Sequence, residues 1–86
     1  MSALKDFKAR SKIKIRLDRV RLGNLGDCKF VGGGVYELRV DFGAGYRIYF
    51  GQEGKEIILL LLGGLKQSQV KDIRQAQEFL MEYRSR

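Results

Sequence analysis

Four cations and two tyrosines carry the chemistry this sequence could do. Arg39 and Arg47 lie in two alternating segments joined by Gly43-Ala44-Gly45. If those segments pair as a hairpin, cross-strand neighbours stand about 5 Å apart and the two guanidinium groups can converge. Lys66 follows the next apolar segment, and Lys29 sits in a short one upstream. Cations drawn from four segments could hold a phosphate and stabilise charge building on it. Tyr46 and Tyr49 offer flat surfaces for base stacking, worth roughly 1–3 kcal/mol per base. The plainer alternative is a surface ion-pair network of Arg39 with Glu37 and Asp41, which contributes little. Gly43-Ala44-Gly45 is not a phosphate loop, because a strand follows it rather than a helix. Gly63-Gly64 is the better candidate, since a helix N-terminus would then lie near Lys66.

Absent residue types narrow the chemistry further. The 86 residues contain no His and one Cys. That removes imidazole acid–base catalysis, a disulfide framework and any multi-Cys zinc site, so no metal or other cofactor is expected. Cys28 reads as a small half-buried hydrophobe, and a lone Cys fits a reducing, cytoplasmic compartment. The longest apolar run, 57–62, is strand length, too short to cross a membrane as a helix. The basic start lacks the apolar stretch of a signal peptide.

These side chains need a scaffold, and the pattern supplies one as a single domain over 1–86. Cys28 to Val31 is a short strand ended by Gly32-Gly33-Gly34. From Val35 the chain alternates: Tyr36, Leu38, Val40 and Phe42 face one way, and Val35, Glu37, Arg39 and Asp41 the other. Tyr46, Ile48 and Phe50 continue the apolar face, with Arg47 and Tyr49 on the polar one. After a second hairpin at Gly51 to Gly54, the run from Glu56 to Leu62 is apolar on both sides, which predicts a central strand. A helix follows from about Ser68, its N-cap, to Tyr83, with Val70, Ile73, Ala76, Leu80 and Tyr83 on its apolar face and Phe79 beside them. The fold class is α+β: a small antiparallel sheet of three to four strands packed against an N-terminal basic helix and a C-terminal helix.

Charge is uneven along the chain. The net charge is +7, but residues 1–22 hold eight basic and two acidic side chains, a net +6. This arm reads as a helix ended by Gly23, with Ala9, Ile13, Leu17 and Val20 on one face. Lys8, Lys12, Arg16 and Arg19 recur at spacings of 4, 4 and 3, stacking four cations on a flanking face. A solvated face is the ordinary reading of such a stripe. Like charges at i, i+4 repel, however, and a polyanion is the usual partner that offsets this. An acidic protein is the second candidate.

The run Val35-Tyr36-Glu37-Leu38-Arg39-Val40-Asp41-Phe42-Gly43-Ala44-Gly45-Tyr46-Arg47-Ile48-Tyr49-Phe50 resembles the signature of RelE/ParE superfamily toxins, nearest the HigB-like addiction module killer protein branch. Leu22-Gly23-Asn24-Leu25-Gly26-Asp27 and Leu60-Leu61-Leu62-Gly63-Gly64-Leu65-Lys66-Gln67-Ser68-Gln69 fit the same branch. The likeness spans roughly residues 3–84. It implies a RelE-like sheet flanked by helices and a type II toxin that stabilises plasmids and is neutralised by a cognate antitoxin. Members of the RelE type cut mRNA on the ribosome without a metal and so inhibit translation: the ribose 2′-OH attacks the adjacent phosphate while cations orient the strand. Carried over, Arg39 and Arg47 act on the scissile phosphate and Lys66 donates a proton or stabilises charge. Lys29 grips the backbone. The stripe of Lys8, Lys12, Arg16 and Arg19 and the rings of Tyr46 and Tyr49, read above from spacing and residue type, are the further expected RNA contacts.

Two departures from the family pattern stand out. Relatives begin with a strand and a first helix, whereas this chain starts near the end of that helix. A sheet edge would then lie open, a route to a homodimer. No His is present, so a general base is not assigned; Glu37, Asp41 or Lys66 would need suitable geometry. Three activities therefore fit: a ribosome-dependent endoribonuclease, a ParE-like inhibitor of DNA gyrase, and a non-catalytic remnant that binds antitoxin or nucleic acid.

Overall fold

A computed structural model describes residues 7–24, 26–41, 45–64 and 66–86. Helix α1 (Phe7–Arg21) leads into strands β1 (Cys28–Gly32), β2 (Val35–Val40), β3 (Tyr46–Glu53) and β4 (Glu56–Gly63), and helix α2 (Gln69–Arg84) closes the chain. The strands form one antiparallel sheet in the order β1-β2-β3-β4. The α+β expectation is met, with four strands. Phe42, Gly43, Ala44, the Leu25 and Leu65 positions, residues 1–6 and the Ala9 side chain lie outside what is described.

Each helix covers one face of the sheet. Ile13, Leu17 and Val20 of α1 pack on Leu38, Val40, Ile48 and Phe50, together with Tyr36, Ile57 and Leu62. Ile73, Ala76 and Leu80 of α2 pack on the opposite face, against Val35, Tyr49, Ile58, Leu60 and Leu61. Alternation along β2 and β3 feeds the two cores in turn.

The α1 terminus behaves as its sequence suggests. Gly23 has φ +89°, a left-handed conformation that costs other residues more than glycine. Its N–H donates to the Val20 carbonyl at 2.9 Å, and that of Asn24 to the Arg19 carbonyl at 2.8 Å. These are the two bonds of a Schellman motif, which satisfy carbonyls the helix end would leave bare.

Four expectations need correction. The Glu56–Leu62 run is not central: β4 is an edge strand, paired only with β3 among the described residues. Both its faces are apolar because a helix lies on each side of the sheet, with Ile57 and Leu62 turned to one core and Ile58, Leu60 and Leu61 to the other. A bulge opposite Tyr49 and Phe50 shifts its register. On α2, Val70 is 72% exposed and Phe79 and Tyr83 are also exposed, so only Ile73, Ala76 and Leu80 carry its packing. The second hairpin turns more tightly than expected, at Gly54-Lys55, because Glu53 still pairs with Glu56. Finally, Ser68 makes no capping bond to the α2 backbone. Its hydroxyl donates instead to Asp72 Oδ2 at 2.9 Å.

Candidate functional site

The end of the sheet where β2 finishes and β3 begins gathers the candidate cations. Arg39 and Arg47 are direct register partners across the β2–β3 ladder. Both line an open cleft of about 350 Å³, shared with Asp27, Asp41, Gly45 and Tyr46. The two residues thus share a register position and a cleft, while their guanidinium groups turn to different partners, Arg39 to Asp27 and Arg47 toward Glu37 and the Gly64 carbonyl. Lys29, the partner of Glu37 on β1, lines an adjoining recess of about 150 Å³ with Asp27, Glu37 and Arg39. Lys66 is exposed in the short 3-10 turn Lys66–Ser68 that precedes α2. It follows Gly64, whose carbonyl accepts a long 3.4 Å bond from Arg47 Nη1, but it does not line the cleft itself.

Arg39 is not a bare cation. Its Nε donates to Asp27 Oδ2 at 3.0 Å, and its backbone N–H donates to the Asp27 carbonyl at 3.0 Å. Both side chains of this pair are more than half exposed, so it adds at most about 1 kcal/mol to stability. The carboxylate occupies a position a phosphate oxygen could take. Replacing Asp27 by asparagine should leave the melting temperature within a few degrees while tightening binding to single-stranded RNA a few-fold at low salt. Thermal melts and a fluorescence titration against an oligoribonucleotide check this.

Two residues placed on the solvent face of the sheet are buried. Glu37 is 1% exposed and Tyr49 0% exposed, because α2 lies across this face. Tyr49 is thus no stacking platform, which corrects the expectation for it. Its hydroxyl donates to Glu37 Oε2 at 3.0 Å. Burial first, and then the bond to Glu37, push the Tyr49 phenol well above its usual range. A raised acid pKa favours the neutral phenol in the folded chain. Its contribution to stability is full below the ordinary phenol pKa of about 10 and falls as pH rises beyond it. The stability margin of the wild type over Tyr49→Phe should therefore shrink above that pH, as chemical denaturation at pH 8 to 11 would read. Tyr46 remains half-buried beside the cleft.

The cations of the basic helix differ in contacts and exposure. Arg16 Nη1 donates to the Arg39 carbonyl at 2.9 Å, so it ties α1 to β2 rather than standing in an open stripe. Lys14 and Arg21 both pair with Asp18, each at 3.2 Å. Lys8, Lys12 and Arg19 are exposed. Cys28 is half-buried as expected, and burial raises its thiol pKa. Sequence reasoning missed Gln69, the first residue of α2, whose Nε2 donates to Glu37 Oε2 at 2.7 Å. Nothing local marks that contact, which joins residues 32 apart.

Among the described residues, no group of three or more His, Cys, Asp or Glu is placed to hold a metal ion. No helix among them is long and apolar enough to cross a membrane. No family model and no solved structure matches the chain. An uncharacterized protein of Haemophilus influenzae is 44% identical over 82 residues, covering 95% of this chain and 83% of that protein. The chain belongs to the family of that protein. The shared span takes in nearly the whole fold, so the cleft lies in a chain that matches its relative almost from end to end.

Proposed function

We propose that the chain is the toxin of a type II toxin–antitoxin pair, an endoribonuclease that cuts mRNA on the ribosome and so stops translation. The observation that carries this reading is the placing of Arg39 and Arg47 opposite each other in one open cleft. Two planar cations lining one cleft suit the non-bridging oxygens of a phosphodiester. In the reaction the ribose 2′-hydroxyl gives up its proton as its oxygen forms a bond to phosphorus, and the bond to the 5′-oxygen of the next nucleotide breaks as that oxygen takes up a proton. A 2′,3′-cyclic phosphate and a 5′-hydroxyl result. Arg47 and Arg39 stabilise the charge that builds on phosphorus-bound oxygen, and Lys66 serves the leaving oxygen or the same charge from the α2 side. The resemblance to RelE-type toxins supports the same assignment and implies a cognate antitoxin as partner.

Induction of the chain in cells, followed by mapping of mRNA 5′ ends and a gyrase supercoiling assay, tests the reading. Codon-phased cuts in translated messages are expected. Inhibited supercoiling without cuts would replace the nuclease with a gyrase inhibitor, and neither effect would leave a binding protein.

The exposed cations of α1 belong to the same reading. Lys12→Glu with Arg19→Glu should weaken binding to ribosomes or RNA and flatten its salt dependence. Each lost phosphate contact lowers the slope of log K against log salt by roughly 0.7–0.9. Filter binding at several salt concentrations measures this, and an unchanged slope would make the stripe a solvated face only.

A further inference from the structure

The buried Glu37 carboxylate has no role in the reading so far, yet two cations of the site, Lys29 and Arg47, lie within 4.0 Å of it. Its Oε2 accepts bonds from Tyr49 on β3 and from Gln69 at the start of α2. Lys29 Nζ lies 3.8 Å from Oε1, and Arg47 Nε lies 4.0 Å from Oε2. Two atoms in this cluster are buried without a hydrogen-bond partner, Glu37 Oε1 and Arg47 Nε. A buried polar atom left unpaired costs about 1–3 kcal/mol. Packing alone does not call for a carboxyl group here, since apolar replacements of buried charges are often neutral or stabilising.

From this geometry we infer that Glu37 is a positioning residue: it holds the guanidinium of Arg47 at the wall of the cleft and, through Gln69, fixes the start of α2 to the same point. At 4.0 Å the Glu37–Arg47 attraction is coulombic rather than a hydrogen bond. Inside a poorly solvated site such attraction is stronger than at the surface. The Arg47 side chain is only 15% exposed, so its swing is already limited by packing, and Glu37 selects its direction. Among the described residues Arg47 Nη1 is held by the long bond to the Gly64 carbonyl alone, which leaves the outer edge of the fork to a ligand. Lys29, itself exposed, stands 3.8 Å from the other carboxyl oxygen. Glu37 therefore touches no substrate. It acts through Arg47, and Gln69 acts through Glu37.

The activity part of this inference rests on the proposed RNA cleavage, whereas its structural part does not. Glu37→Gln keeps the shape and an acceptor for Tyr49 while removing the charge. In the full chain, the Arg47 Nε–H signal in a nitrogen–proton NMR spectrum, assigned by its loss in Arg47→Lys, should exchange slowly with water in the wild type. It should shift and exchange faster in Glu37→Gln. An unchanged signal would overturn the inference whatever the activity. In cleavage assays Glu37→Gln should lower kcat by about 10²-fold with KM little changed, as expected when a reacting-centre group is displaced by about 1 Å. It should have no further effect on an Arg47→Ala background, because the two act as one unit. An additive effect on that background would also overturn the inference. Should Glu37→Gln fail to fold, Gln69→Ala, which removes one donor at a half-buried position, should give the same shift of the Arg47 signal in smaller measure. A folded Gln69→Ala chain with no shift would count against the inference. If the wild type cuts no RNA, the function falls while the NMR result still decides the positioning.

Discussion

On the proposed nuclease reading, replacing Arg47 by alanine should slow RNA cleavage by about 10²–10³-fold while the chain still folds. That is the loss typically seen when one preorganised charge stabiliser is removed from a reacting centre. Arg47 is the least exposed cation of the cleft, and it stands directly opposite Arg39 in the ladder. Among the described residues its guanidinium makes one hydrogen bond, the long one to Gly64, so truncation forfeits little direct side-chain bonding. Glu37 loses a neighbouring cation but keeps its bonds from Tyr49 and Gln69, with Lys29 still near its other oxygen. Arg47→Lys separates charge from shape. It keeps the positive charge but not the planar fork, and should fall between wild type and alanine. Initial rates on a ribosome-bound message, with circular dichroism melts of each variant, measure both quantities. Wild-type rates from a well-folded Arg47→Ala chain would remove the cleft from the chemistry.

What the sequence made legible were features set by local rules. The alternation from Val35 to Phe50 placed a hairpin and its two faces, and Arg39 and Arg47 fell opposite each other as that hairpin requires. Gly23 marked the end of α1 through a conformation that favours glycine. What escaped were features set by residues distant in sequence. A period of two reports how many faces of a strand are covered, not how many strands it pairs with, so β4 at the edge looked like a central strand. Polar residues at alternate positions looked solvent-facing, yet Glu37 and Tyr49 are buried and hydrogen-bonded to each other beneath α2. Arg16 read as one of four cations in a stripe along α1, whereas the fold ties it to the Arg39 carbonyl.

Truncating Leu80 to alanine should be the most damaging change to the fold, at about 3–5 kcal/mol. Leu80 is fully buried at the centre of the α2 core. It rests on glycine: a Cβ added to Gly51 would lie 2.9 Å from Leu80 Cδ1, and one added to Gly34 would lie 3.0 Å from Cδ2. The helix thus approaches the sheet where β3 carries no side chain, and a leucine fills that space. For a domain of this size the loss corresponds to a melting temperature lower by about 15–30 °C. Gly51→Ala alone should cost about 1–3 kcal/mol by overpacking, since Gly51 does not have a positive φ and the strain is steric. Together the two changes should cost less than their sum by about 1–2 kcal/mol, because the added methyl occupies part of the emptied space. Urea denaturation of the four chains gives this coupling, and strict additivity would mean that Leu80 does not rest on Gly51. The same helix carries Gln69 at its first turn, so Leu80→Ala should also release the Gln69–Glu37 contact. Gly51→Ala on that background should restore it in part, which links the depth of the α2 core to the order of the cleft.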